Sequence, residues 1–433
     1  MVNREDFMLF YNESICVLYI VPSNKLLTMN ANKAPLFEMQ LNNYFAKNSS
    51  AGDAERIEEF LNRSLDEEPS NDDKDLFHYR HLRKLEILLT NHCNLSCRYC
   101  YADRGSYHRE SFVYDSEQLR NDLQNFFPVY YDQVDTVFFF GGEPLINIKG
   151  IETVCDFFAS LHSRGEIARV PVYTIVTNGT LISEEIATLL KKYEVNITIS
   201  LDIPKVVHDS NRVYCSGQGT YEDVIAGIKR LQCVGTNFRT IEVTYNKEHI
   251  RIGFNRHKIT EMIHTLFPDV NTIIADCCGD NDVALNNQDR DISCISQKDY
   301  TRIFKALSAK RRNNYSCDVC ERSFMLTPNA TIYPCHMFYK DKAFSFSDKQ
   351  GYEELRKKIQ SVNRIEHPVC KRCWAKYLCN ACPASLLLDR QGSEAEMKKN
   401  CPIIREKIKN ILLMIAEDSS KNQLLNYERL VED

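Results

Sequence analysis

Apolar and polar positions in the middle of the chain follow two alternating patterns. Near-continuous apolar runs occur at Leu85–Leu89, Val134–Phe140, Val172–Val176, Val195–Leu201, Thr240–Tyr245 and Val270–Ala275, and they predict strands buried on both faces. Between them Asp115–Phe127, Ser183–Lys192, Tyr221–Cys233 and Arg256–Phe267 carry helical periodicity, with Ser183 ahead of Glu184 and Glu185 as an N-cap signal. Strands that alternate with helices imply a parallel sheet. Six such units predict an α/β fold built as a partial (β/α)6 barrel, with its reactive groups at the strand C-terminal ends.

The flanking regions read differently. Phe7–Phe10, Ile15–Val21 and Lys25–Met29 predict short antiparallel strands, followed by helices at about Ala34–Phe45 and Ala54–Leu61. The acid-rich stretch Asp66–Asp75 then reads as a linker. Residues 1–78 are therefore expected to form a small α+β domain, 79–305 the barrel and 306–433 a cysteine-rich domain. That last part ends in an amphipathic helix at roughly Ile403–Ala416.

Composition narrows the class. The chain has 433 residues, 43% hydrophobic and 26% charged, with 15 Gly and 13 Pro, which excludes disorder or low complexity over most of its length. The formal charge of −5 leaves no footprint for nucleic-acid binding, and Lys310-Arg311-Arg312 reads as a solvated helix face. The start lacks a signal-peptide hydrophobic region. Ile15–Val21, closed by Pro22, falls far short of the ~20 residues a membrane helix needs. These features point to a cytoplasmic protein with no membrane partner.

The 18 cysteines are the unusual count. In a reducing compartment, clustered cysteines hold metal more often than disulfides. Cys16, Cys155, Cys215, Cys233, Cys277, Cys278 and Cys294 lack ligand spacing and are expected to be small core residues.

Cys93-Asn-Leu-Ser-Cys97-Arg-Tyr-Cys100 sets three thiols within eight residues, just after a strand. Three ligands suit a four-iron cubane with one open iron, while zinc would need a fourth ligand such as His92 or His108. The loop resembles the signature of the radical S-adenosylmethionine (SAM) superfamily, and Tyr99 before the last cysteine matches it. The resemblance assigns the first cluster to Cys93, Cys97 and Cys100. It implies that Gly141-Gly142-Glu143-Pro144 meets the SAM amino group. It also sets Thr177, Asn178, Ser200 and Asp202 near the ribose and methionine end, with Arg212 on the SAM carboxylate. Asn246 would add a polar contact.

Cys370-x2-Cys373-x5-Cys379-x2-Cys382, with Cys401 beyond and Cys317, Cys320 and Cys335 upstream, is a dense ligand pattern. On spacing alone zinc ribbons compete with iron–sulfur clusters. The set resembles the SPASM extension of radical SAM enzymes. That implies one auxiliary 4Fe–4S cluster on Cys317, Cys320, Cys335 and Cys382, and a second on Cys370, Cys373, Cys379 and Cys401. Two departures stand out: Ala330 replaces the family's glycine, and the Cys379–Cys382 gap is two residues rather than the commoner three.

Tyr101-Ala102-Asp103, Tyr333-Pro-Cys335-His336 and Cys373-Trp-Ala-Lys-Tyr look most similar to maturases of ribosomal peptides, nearest the thioether-forming sactipeptide and ranthipeptide enzymes. The resemblance implies three 4Fe–4S clusters, SAM, a 5′-deoxyadenosyl radical and a crosslink, a cysteine thioether, set in a precursor peptide. It further implies an electron donor such as flavodoxin or ferredoxin. The N-terminal domain resembles the element that binds the leader of such peptides. No catalytic side chain is assigned beyond the cluster and the SAM site. Carbon–carbon or ether crosslinking, epimerisation and sulfatase-type maturation stay open, as does a zinc-binding scaffold. His336 stands where sulfatase maturases carry an aspartate.

Overall fold

The computed structural model describes residues 3–65, 80–277, 281–286, 289, 295–309, 317, 319–320, 322–360, 367–387 and 393–418. The expected linker Asp66–Asp75, the basic run Lys310–Arg312, Cys278 and Cys294 lie outside them. In chain order come β1 (Phe7–Tyr11), β2 (Ile15–Ile20), β3 (Lys25–Asn30), α1 (Ala34–Phe45) and α2 (Ala51–Leu65). Next are β4 (His81–Thr90), α3 (Ser116–Tyr130), β5 (Gln133–Gly141), α4 (Ile148–Ser163), β6 (Val172–Thr177), α5 (Glu184–Lys192) and β7 (Asn196–Ser200). There follow α6 (Lys205–Asn211), α7 (Tyr221–Val234), β8 (Phe238–Tyr245), α8 (Lys247–Arg251), α9 (Arg256–Leu266) and β9 (Asn271–Asp276). The chain ends with α10 (Gln297–Ser308), β10 (Ser323–Thr327), β11 (Thr331–Tyr333), α11 (Lys349–Gln360), α12 (Pro383–Leu387) and α13 (Ser393–Glu417).

The chain divides into two compact units. One gathers Met1–Asp75, Asp291–Cys317 and Lys357–Asp433; the other holds Leu76–Arg290 and Asp318–Arg356.

The second unit is the partial barrel. Its sheet runs β11-β10-β4-β5-β6-β7-β8-β9, and β4 through β9 pair in parallel as expected. Ser183 accepts a hydrogen bond from the Ile186 N–H at 3.2 Å, and Asp115 caps α3 in the same way. Two expectations change. Strands were not foreseen after residue 310, yet β10 pairs parallel to β4, and β11 returns antiparallel on β10. Their hairpin turns through Asn329 and Ala330 at φ +63° and +50°. Ala330 thus takes, with a Cβ, the left-handed conformation that glycine favours. Burial on both faces also fails: Val137, Phe139, Ile175, Ile197, Ile199 and Ile241 are buried, whereas the alternating Phe138, Thr174, Thr198, Ser200 and Glu242 are only half-buried. A barrel left open does not fill its interior with side chains.

The first unit holds the three-stranded antiparallel sheet β1-β2-β3. Phe7, Leu18, Ile20 and Leu27 pack one face onto Phe37, Leu41, Ile57 and Phe60 of α1 and α2. Phe10, Val17, Tyr19 and Leu26 pack the other face onto α10, α13 and the segment around Trp374. The final helix α13 begins at Ser393, well before its expected start.

Cys16, Cys155 and Cys277 are buried, in line with expectation, whereas Cys215 and Cys233 are exposed and contradict it. Cys215 lies in the turn after Arg212, and Cys233 sits near the end of α7, on its solvent side. Among the described residues no helix is long and apolar enough to cross a membrane.

Candidate functional site

The predicted SAM-site residues all fall within the barrel unit, most of them at or just past the C-terminal ends of its strands, with Tyr99 in the loop after β4 and Arg212 at the end of α6. Gly142 explains how the cysteine loop is seated. A Cβ on it would land on the His92–Cys93 peptide, 2.9 Å from the Cys93 nitrogen and closer still to the His92 carbonyl. Gly141 is similarly close-packed, since its Cβ would lie 2.5 Å from the Thr90 carbonyl. The Gly142 N–H donates to the Thr90 carbonyl at 3.0 Å, and the Glu143 N–H to that of His92 at 2.9 Å. On its far side the loop donates from Ser96 N to Val213 O (2.7 Å) and from Arg98 N to Asn211 O (2.9 Å).

Glu143 is a strap between strand ends. Its carboxylate accepts from Thr177 Oγ1 at 2.7 Å, Asn178 N at 2.8 Å and Leu145 N at 3.0 Å. Burial raises its pKa against the pull of those donors. Pro144 opens the short turn that follows. The Asn178 amide donates to Asn94 Oδ1 at 2.9 Å and lies 3.9 Å from Cys93 Sγ, tying the end of β6 to the cysteine loop.

Asp202 organises the other side. Fully buried, it accepts from Thr244 N at 2.9 Å, from Arg212 Nε at 3.2 Å and, in a short bond, from the Tyr99 hydroxyl. The Arg212 guanidinium lies over the Tyr99 ring at 5.3 Å. Tyr99, Asp202 and Arg212 thus form one cluster. Burial, with the Asp202 carboxylate beside it, holds the Tyr99 phenol well above its ordinary pKa, so it stays a donor. Asn246 is spent locally: it caps α8 by accepting from Glu248 N, and its amide donates to Thr244 O. Ser200 sits at the end of β7, opposite Glu242 of β8.

Sequence reasoning left two supporting residues unassigned. His208, buried, accepts at Nδ1 from the Asp202 N–H (3.2 Å), and its Nε2 lies 3.0 Å from Thr220 Oγ1. Burial, then the Arg212 charge, lowers its pKa to about 4, so it is neutral with the proton on Nε2. Glu86, in β4, accepts from the His336 N–H at 2.9 Å and faces His336 Nδ1 at 3.2 Å. Burial alone would raise its pKa, but the bonds and charges of His336 and Lys84 hold it at about 2. Glu86 thereby places the Cys335-His336 turn against β4, and the His336 ring meets Phe140 at 4.9 Å. A buried Glu inside an apolar run was the signal available in the sequence for that residue.

The first cysteine set suits a shared cofactor. Burial raises Cys93 to about 12 and Cys97 to about 11, and Cys93 also feels the charges of Glu143, Cys97 and Cys100. Such thiols are inert when protonated and become ligands only when a metal displaces their protons. Among the described residues no three His, Cys, Asp or Glu side chains converge on a single-ion point. Of the second set, Cys320 and Cys335 belong to the barrel unit, while Cys317, Cys370, Cys373, Cys379, Cys382 and Cys401 belong to the other. Burial raises Cys373 and Cys401 above the ordinary thiol value; the neighbouring Cys379 adds to both, and Cys373 adds to Cys401.

Residues 87–252 match the family model of the Radical SAM superfamily. An uncharacterised protein of Methanocaldococcus jannaschii is 31% identical over 166 residues, 38% of this chain; the chain thus spans about half of that relative, 54% of its length. The cysteine-type anaerobic sulfatase-maturating enzyme of Clostridium novyi is 25% identical over 332 residues, 69% of this chain and 88% of that enzyme. The solved structure of native anSMEcpe with bound AdoMet superposes with a TM-score of 0.57 at 19% identity, covering 77% of this chain and 99% of that one, which shows a shared fold.

Proposed function

From a barrel that carries a radical SAM domain, we propose that the chain is a SPASM-type peptide maturase. Its reaction is the closure of a crosslink, a cysteine thioether, in a ribosomally synthesised precursor peptide. The observation that carries this reading is the three-cysteine loop seated on Gly142 at the strand ends, with the Asp202–Arg212–Tyr99 cluster on one flank and Glu143 on the other.

Cys93, Cys97 and Cys100 fit a four-iron cluster as three thiol donors on one loop. A bound cluster and SAM together supply a carbon radical able to take hydrogen from the substrate. The chain's own residues do the positioning. Arg212, oriented by Asp202, offers its fork to the SAM carboxylate. Thr177, Asn178 and Ser200 border the nucleoside, and the Gly141-Gly142 backbone admits the amino group. Glu143, Pro144 and Asn246 hold those segments in place. Cys317, Cys320, Cys335 and Cys382 hold one auxiliary cluster, and Cys370, Cys373, Cys379 and Cys401 the second. The N-terminal sheet docks the leader by its edge, and a flavodoxin or ferredoxin delivers electrons in the cytoplasm.

A sulfatase-type activity is the second reading, favoured by the likeness to the C. novyi enzyme along 88% of its length. His336 in place of the aspartate speaks against it. The test is anaerobic co-expression with a cysteine-bearing peptide encoded beside the gene, followed by mass spectrometry. Loss of two hydrogens with one thiol no longer alkylated is expected. An unchanged mass, or full alkylation after the loss, contradicts a thioether.

A further inference from the structure

The face of the N-terminal sheet that turns away from α1 and α2 rests on the cysteine-rich segment. Phe10, Val17 and Tyr19 share one core with Ala375, Tyr377 and Leu378, which lie between Cys373 and Cys379. Ile408, Ile411 and Leu412, which follow Cys401 on α13, complete that core. Trp374 meets the Phe10 ring at 4.8 Å and the Tyr19 ring at 6.2 Å. Cys373 and Cys379 themselves pack against this core. The segment between them is held by turn bonds, such as Cys379 N to Ala375 O at 2.8 Å, and by Arg302 donating to Leu378 O at 2.6 Å. A loop without regular structure supports a core only when its ends are fixed, because its own ordering costs entropy. Here the ends are cysteines.

We infer that the site on Cys370, Cys373, Cys379 and Cys401 is the structural floor of the N-terminal sheet, so that filling it orders the strands on which a leader peptide docks. The inference rests on the function proposed above for both parts. Metal-free chain then presents a loosened sheet, and peptide engagement waits on cluster loading. Binding to the folded site alone stabilises whatever packs on it.

The full chain is compared metal-free and after anaerobic reconstitution with iron and sulfide, by hydrogen exchange of Phe7–Tyr11 and Ile15–Ile20. Trp374, the sole tryptophan, adds a fluorescence readout at the junction. Reconstitution is expected to slow exchange in these strands by ~10-fold or more, with β5–β7 little changed, and to shift Trp374 emission. The reconstituted double variant Cys373→Ser/Cys379→Ser should exchange like metal-free protein, while Cys97→Ser keeps the slowing. Equal exchange in both states, with iron bound at the site, overturns the inference alone, as does an equal change in β5–β7. If the double variant binds as much iron as the native chain, the cluster assignment itself falls, and the inference with it.

Discussion

The two cysteine regions are anchored by different physics. The barrel loop is set by backbone: Gly142 admits the His92–Cys93 peptide, and N–H donors from Gly142, Glu143, Ser96 and Arg98 fix its path. The C-terminal cysteine segment is set by apolar packing, with Trp374, Tyr377 and Leu378 packed beneath a sheet while turns connect its cysteines. Directional bonds tied to strand register preorganise a site before its cofactor arrives. Nondirectional packing leaves a loop that its ligand has to finish. The first arrangement suits chemistry on a small cofactor; the second is the one for which coupling between a metal site and the order of a surface is proposed above.

The contrast can be broken at several points. Asp202→Ala strands the buried Arg212 guanidinium, and unfolding in urea should show a loss of about 3–5 kcal/mol. Glu86 comes next. Its carboxyl is held at about 2 against an ordinary 4.5, so its stabilisation is complete above pH 4.5 and lost as pH falls toward 2. The span is on the order of 3 kcal/mol, and Glu86→Gln should flatten the acid limb of stability measured by thermal melts. Gly142→Ala displaces the cysteine loop by backbone contact and should cut SAM cleavage roughly 100-fold while the fold persists by circular dichroism. Ser183→Ala removes only an N-cap, and about 1 kcal/mol with unchanged SAM cleavage is expected.

The barrel was legible because its strands are short apolar runs, its helices carry a strong local period, and the cysteine loop and glycine pair have fixed spacing. What escaped was set by contacts far apart in sequence. β10 and β11 are short; β10 becomes a strand only by pairing on β4, from a distant part of the chain, and β11 by returning on β10. Glu86 reads as an interruption in an apolar run until His336 arrives opposite it. His208 lies four residues before Arg212, and its role appears only where the Asp202 N–H and Thr220 meet it. The Trp374 core joins the first and last parts of the chain, which no local pattern announces.

The central claim is that the loop of Cys93, Cys97 and Cys100 holds the cluster at which SAM is cleaved. The direct measurement is 5′-deoxyadenosine formed by anaerobically reconstituted protein with SAM and a chemical reductant, quantified by liquid chromatography and mass spectrometry. Native chain should produce it, and Cys97→Ala should produce none while its auxiliary iron remains bound. Continued 5′-deoxyadenosine formation by Cys97→Ala would contradict the account.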